Sequence, residues 1–343
     1  MTTEKISKFG ELILKSHQNC VPLNLFIELT RRCNLNCIHC CVSAGARHAA
    51  PSGRELSTEK IKSILDDAQQ LGTLFLTLTG GEPMTHSDFF DIAYHARSLN
   101  YAIRIFTNAT LIDENAADRL SELSPMEVDI SIYSHDPETN DKITGINGSF
   151  NAVLRAVELL KERKINTSLK CVLMKQNFEH YEELFKLAEQ LSLPCRIDPT
   201  ITARDNGNTE PLNCRINHAQ LRKILGDTRI FPHLNSAPSP DNWCHVGTTE
   251  LAITTEGDVI PCIQWRIPAG NVTKQNLKTI WETSPVFLSL RNISNSQILP
   301  CQECNILQWC ARCPGIAELE TGHWNYPYDW ACSTAKILKE ITK

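Results

Sequence analysis

From residue 25 onward, short apolar runs alternate with longer stretches in which apolar residues return every three or four positions. The runs read as buried strands and the stretches as amphipathic helices packed against them. The first run, Leu25-Phe26-Ile27-Glu28-Leu29, empties into a polar loop. Ser57 then caps a helix whose Ile61, Ile64, Leu65, Ala68 and Leu71 share a face, with Gly72 just past its end. A second run, 74–78, ends in Thr79-Gly80-Gly81-Glu82-Pro83. Further helices are expected near 86–99, 114–123, 150–160 and 178–191, and further strands near 101–106, 127–133, 167–173 and 195–198. Each helical spacing is long enough for a right-handed parallel crossover. The pattern predicts an α/β fold, a parallel sheet curled toward a barrel.

After residue 200 the rhythm stops. Asp205-Asn206-Gly207-Asn208 and Ser236-Ala237-Pro238-Ser239-Pro240 are turn and linker material. The expected division is therefore an N-terminal segment 1–24, a core 25–200, a linker 201–242 and a small cysteine-rich domain 243–343. That tail shows a hairpin, 251–262, with Gly257 in its turn, but little helical periodicity. Metal centres are expected to stand in there for a sizeable core.

Composition narrows the class. The 343 residues are 42% hydrophobic and 21% charged, which describes a globular protein of one large domain and one smaller one. A net charge of −5 gives no basic field for nucleic acid or anionic lipid. Residues 1–18 lack the apolar core of a signal peptide, and no run is long enough to span a bilayer. A cytoplasmic protein is expected, so its 15 cysteines are not expected to form disulfides.

Those cysteines fall into groups. Cys33, Cys37 and Cys40 follow the first strand, and Cys244, Cys262, Cys301, Cys304, Cys310, Cys313 and Cys332 crowd the tail. Cys20, Cys41, Cys171, Cys195 and Cys214 are scattered and read as small hydrophobes or incidental thiols. Three thiolates so close in sequence can wrap one inorganic centre, and sulfur selects zinc or an iron–sulfur cluster. Structural zinc usually takes a fourth protein ligand, whereas three cysteines on a four-iron cube leave one iron open.

Spacings of three and then two intervening residues resemble the signature of the radical S-adenosylmethionine (radical SAM) enzymes. The resemblance implies a partial (β/α)6 barrel and a [4Fe–4S] cluster on Cys33, Cys37 and Cys40. It also implies that SAM chelates the open iron and is cleaved reductively to a 5′-deoxyadenosyl radical. Gly80-Gly81-Glu82-Pro83, at the end of the second strand, resembles the element that binds the SAM amino group in that family. Glycines allow close backbone approach, and the Glu82 carboxylate can receive an ammonium group. By the same resemblance His39 packs near adenine, Ser131 bonds the ribose, and Asn108 closes the third strand beside the cofactor. The Gly148-Ser149-Phe150 opening of the next helix also looks like the family, for capping.

In the tail, Cys301, Cys304, Cys310 and Cys313 are separated by gaps of two, five and two residues. Paired cysteines can build a zinc ribbon, although usually with a longer separation. The arrangement instead resembles the SPASM extension of radical SAM enzymes, which carries two auxiliary iron–sulfur clusters. It assigns Cys301, Cys304, Cys310 and Cys332 to one cluster and Cys244, Cys262 and Cys313 to the other. No further cysteine lies between Cys244 and Cys262, so the second set has three thiols, with an open iron or a ligand such as His245 or Cys214. The last gap is two residues where many relatives have three.

SPASM relatives most often modify ribosomally made peptides or proteins, commonly by crosslinking, so an enzyme that oxidatively modifies a precursor peptide is expected. A haem-precursor side-chain enzyme and a non-catalytic iron–sulfur scaffold are the alternatives. A scaffold has no use for the turn at 80–83. Only about twenty-four residues precede the first strand, too few for a peptide-binding domain. A standalone recognition protein is therefore expected, beside an electron donor of flavodoxin or ferredoxin type. No side chain stands out as the catalytic acid or base.

Overall fold

The computed structural model describes residues 7–43, 55–232, 244, 246–293 and 297–342. Most of the loop expected at 43–54, the last ten residues of the linker (233–242), and His245 lie outside these described residues. The chain divides into two compact units. The first comprises Met1–Thr30, Pro51–Arg104 and Cys244–Ile293, and the second Arg31–Ala50, Ile105–Trp243 and Ser294–Lys343.

In the first unit, β1 (Asn24–Thr30) pairs in parallel with β2 (Phe75–Gly80), Leu25 opposite Leu76 and Ile27 opposite Leu78. All four side chains are buried, as the uninterrupted apolar runs demand. The other edge of β1 pairs in parallel with β7 (Glu250–Ile253), and β8 (Asp258–Ile260) and β9 (Gly270–Asn271) continue antiparallel. The hairpin read from the tail thus extends the sheet begun by the first strand. Helix α1 (Lys8–Gln18), which periodicity did not single out, starts at an N-cap Ser7 accepting the Gly10 N–H. Ser57 caps α2 (Thr58–Gln70), whose Ile61, Ile64, Leu65 and Ala68 are buried. After the short turn Pro83–Thr85 comes α3 (Phe89–Ser98), which opens three residues later than the expected 86. The chain passes into the second unit within β3 (Ala102–Thr107).

The second unit continues with α4 (Glu114–Leu123), β4 (Glu127–Ser131), α5 (Pro137–Thr144), α6 (Ser149–Glu162), β5 (Thr167–Val172), α7 (Tyr181–Leu191) and β6 (Cys195–Asp198). Strands β4, β5 and β6 are parallel neighbours, with Ile130 opposite Leu169 and Cys171 opposite Ile197. Strand β4 stops at Ser131, short of the expected Tyr133, because the Tyr133 N–H is taken by the Asn140 side chain. One helix was expected between β4 and β5, and two form. The cap of α5 is written in Asp136-Pro137-Glu138, where the aspartate accepts the Thr139 N–H and proline occupies the first turn.

Beyond α8 (His218–Leu225), the tail is more helical than its periodicity indicated. In the first unit α9 (Leu277–Thr283) and α10 (Pro285–Leu290) bury Leu277, Ile280, Trp281 and Phe287. In the second, α11 (Pro314–Thr321) and α12 (Asp329–Ile341) carry a small core of Ile316, Ala317, Tyr328 and Ala331. Helices of six to eight residues span barely two turns, too few for a period of 3.6 to declare itself. No helix among the described residues is long and apolar enough to cross a membrane.

Candidate metal and cofactor site

The cysteine loop follows directly on β1 and belongs to the second unit. Its backbone is pinned to the end of α5: the Asn36 N–H donates to the Thr144 carbonyl at 2.8 Å and the Ile38 N–H to that of Ile143 at 3.1 Å. Gly145 turns away at φ +71°, and a Cβ there would press on the Asn36 carbonyl at 2.9 Å, so glycine alone lets loop and helix meet. Asp205 clamps both ends. Its carboxylate pairs with Arg31 and accepts the Ser43 N–H at 3.1 Å, while its own N–H donates to the Cys41 carbonyl at 2.8 Å.

Donors converge on the Cys33 sulfur. The Leu35 N–H lies 3.4 Å and the Asn108 amide 3.7 Å from Sγ. The same amide donates to Asn34 Oδ1 at 2.9 Å, and Asn108 Oδ1 accepts from the Thr110 N–H and hydroxyl. N–H groups aimed at sulfur favour the thiolate, the form that binds metal. Cys37 and Ile38 pack on Tyr133, Ile143, Met174, Ile201 and Cys214. His39 meets Tyr133 edge to face at 4.7 Å. Burial drives the Tyr133 phenol well above its ordinary pKa, the neighbouring Cys37 adds to the rise, and a hydrogen bond with the Ser131 side chain opposes it. Ser131 and His39 therefore both meet Tyr133, which sequence patterning did not single out.

The Gly80–Pro83 turn belongs to the first unit. Strand pairing sets Gly80 opposite Thr30, and Gly81 donates its N–H to the Thr30 carbonyl at 2.8 Å. Gly80 has φ +135°, where any Cβ would collide with that carbonyl. Glu82 is completely buried, and one carboxylate oxygen accepts the Met84 N–H at 3.1 Å. Pro83 opens the short helical turn that this carboxylate caps. The turn is built around a buried carboxyl group.

In the tail of the second unit, Cys301 and Cys304 sit on one tight turn, Cys310 follows another, and Cys332 is on α12. Burial pushes the Cys310 thiol up to about 11 and raises Cys301 and Cys332 as well; these thiols and Cys304 add to one another's shifts. Cys313 packs with Cys310 on the core that includes Tyr328, and its N–H donates to the Tyr328 hydroxyl at 3.1 Å. Arg312 is anchored through Nη2 to the Trp324 and Tyr326 carbonyls, yet its buried Nε and Nη1 have no hydrogen-bond partner among the described residues. Thiols gathered beside open donors fit a sulfur-rich anionic centre.

In the first unit, Cys262 lies just past β8, where the register of β7 and β8 sets it across from Glu250. Burial takes the Cys262 thiol to about 12 and the Glu250 carboxyl to about 7. Cys244 is exposed. Of the scattered cysteines, Cys171 and Cys214 are buried as expected of small hydrophobes, while Cys41 is exposed. Among the described residues, no three His, Cys, Asp or Glu side chains are gathered tightly enough to hold a single metal ion.

Asp205 and Arg312 were missed in the sequence. The aspartate reads as a turn residue, and the arginine was not singled out.

The radical SAM superfamily model matches residues 27–188, and the SPASM iron-sulfur cluster-binding domain model matches 244–305. An AdoMet-dependent heme synthase of Methanosarcina barkeri is 27% identical over 326 residues, covering 87% of this chain and 92% of its own. Mycofactocin maturase MftC of Mycolicibacterium smegmatis is 28% identical over 313 residues, 84% of this chain and 77% of its own. In fold, the chain resembles Streptococcus suis SuiB bound to S-adenosylmethionine, with a TM-score of 0.71 at 20% identity over 94% of this chain and 80% of that one.

Proposed function

Since the chain is a radical SAM enzyme with a SPASM domain, working with SAM and [4Fe–4S] clusters, we propose that it oxidatively modifies a ribosomally made peptide or protein. When bound, the site cluster supplies the electron that cleaves the SAM sulfonium and releases a 5′-deoxyadenosyl radical. The protein holds and aims. Cys33, Cys37 and Cys40 ligate the cluster, Asn108 and the Leu35 N–H steady the first thiolate, and Asp205 fixes the loop ends. Gly80 and Gly81 keep the β2 turn flat, and Glu82 receives the SAM ammonium group. Ser131 and His39 take the ribose and adenine, with Tyr133 as the surface on which both are set. In the tail, Cys301, Cys304, Cys310 and Cys332 hold one auxiliary cluster; Cys244, Cys262 and Cys313 are assigned to the other by sequence alone. The enzyme works in the cytoplasm, with electrons from a flavodoxin or ferredoxin and its peptide presented by a separate small protein.

The observation that carries the peptide reading is the likeness to mycofactocin maturase, which runs through both matched domains. The test is anaerobic co-expression with the short reading frames beside this one, followed by peptide mass spectrometry. Loss of a pair of hydrogens per crosslink supports the reading. An unmodified peptide, with carboxyl groups lost from an added iron tetrapyrrole, replaces it. That second reading rests on the heme synthase likeness, which spans 92% of that relative.

A further inference from the structure

Arg312 lies between Cys310 and Cys313. Its Nη2 donates to the carbonyls of Trp324 and, at 2.9 Å, Tyr326. The guanidinium is anchored at one nitrogen, while Nε and Nη1 are buried without an acceptor among the described residues. Two buried open donors on one half-buried cation are costly unless something absent from the polypeptide receives them. The cysteines that flank it in the chain, Cys310 and Cys313, both pack on the small core of Ile316, Ala317, Tyr328 and Ala331.

We propose that Arg312 sets the reduction potential of the tail centre, its Nε–H and Nη1–H donating to sulfur atoms of the cluster bound by Cys301, Cys304, Cys310 and Cys332. The proposal rests on that ligand set. Reduction adds one electron, supplied by dithionite in the test or by the protein donor in the cell, and therefore one negative charge beside the guanidinium. Hydrogen bonds to cluster sulfur and a nearby positive charge both favour the more negative form. Arg312 is a positioning and tuning residue, with no part in binding SAM or substrate.

The test uses the full chain, reconstituted anaerobically with iron and sulfide, titrated with dithionite and followed by electron paramagnetic resonance. The signal lost in Cys304→Ala identifies the centre. In Arg312→Gln its midpoint falls, so that at the wild-type midpoint the reduced-to-oxidised ratio drops about tenfold, about 59 mV for one electron. Arg312→Lys, which keeps the charge but not the fork, falls between the two. An iron-loaded Gln variant with an unmoved midpoint overturns the proposal. Should neither variant hold the centre, wild-type protein labelled with 15N-arginine decides. A nitrogen coupling to the reduced centre in pulsed spectra supports the contact, and its absence overturns it. Wild-type protein with no tail iron at all sinks the ligand set itself, an outcome that iron analysis separates from a failure of Arg312 alone.

Discussion

Two groups of cysteines in the second unit, the loop at 33–40 and the tail at 301–332, are held in opposite ways. The loop is shaped by protein before any metal arrives: carbonyls of Ile143 and Thr144 take its amides, Asp205 ties its ends, and Asn108 addresses Cys33. In the tail, Cys301, Cys304 and Cys310 stand on short turns and Cys332 on α12, beside a core of a few side chains, Ile316, Ala317, Tyr328 and Ala331. The loop has its geometry preorganised; on the reading proposed above, the tail leaves a bound cluster to complete the fold.

The largest expected effect comes from replacing Cys33, Cys37 and Cys40 together with Ala. Cleavage of SAM to 5′-deoxyadenosine is abolished while tail iron is retained, measured by chromatography and iron analysis. Undiminished 5′-deoxyadenosine would remove the loop from the mechanism. Next is Cys301→Ala, or removal of iron from the wild type by chelation. Amide exchange should accelerate in α11 and α12, yet stay slow at Asn36 and Ile38. Equal acceleration in both regions would erase the contrast drawn above.

A third change spares both cysteine groups. Glu82→Gln keeps the shape of the buried side chain but removes its charge, and a hydrogen bond to a charged group is worth about 1.5–3 kcal/mol. SAM affinity by calorimetry should fall about tenfold or more, with iron content unchanged. An unchanged affinity would leave Glu82 as the cap of its turn and nothing else. The smallest effect is expected from Asp205→Asn, which retains acceptors for Ser43 but weakens the tie to Arg31. The site cluster should load more slowly and reach the same final iron content, followed by its absorbance during reconstitution. A rate equal to the wild type would show that α5 alone holds the loop.

How much of this was legible in the chain depended on distance in sequence. The cysteines sit close together, and β1 and β2 are unbroken apolar runs, so both could be read directly. Asp205 could not, because it meets the loop only after most of the α/β repeats have intervened. Helix α5 did carry its signal, Asp136-Pro137, but the stronger periodicity of α6 drew the eye past it. Helices α9, α10 and α11 were hidden by shortness. Arg312 shows a further limit: its neighbours in sequence were the evident metal ligands, and only its unanswered donors mark it as more than a spacer.

The pairing of β7 with β1 bears on how the chain is made. Strand β1 leaves the ribosome early, yet the partner for one of its edges, Glu250–Ile253, is synthesised only after most of the protein. Until then Leu25, Ile27 and Leu29 stand on a strand with a bare edge, the condition that invites pairing with a foreign strand. The first unit must therefore close over a long sequence separation, a slow contact to make. A nascent chain interrupted before residue 250 would be the form most in need of a chaperone.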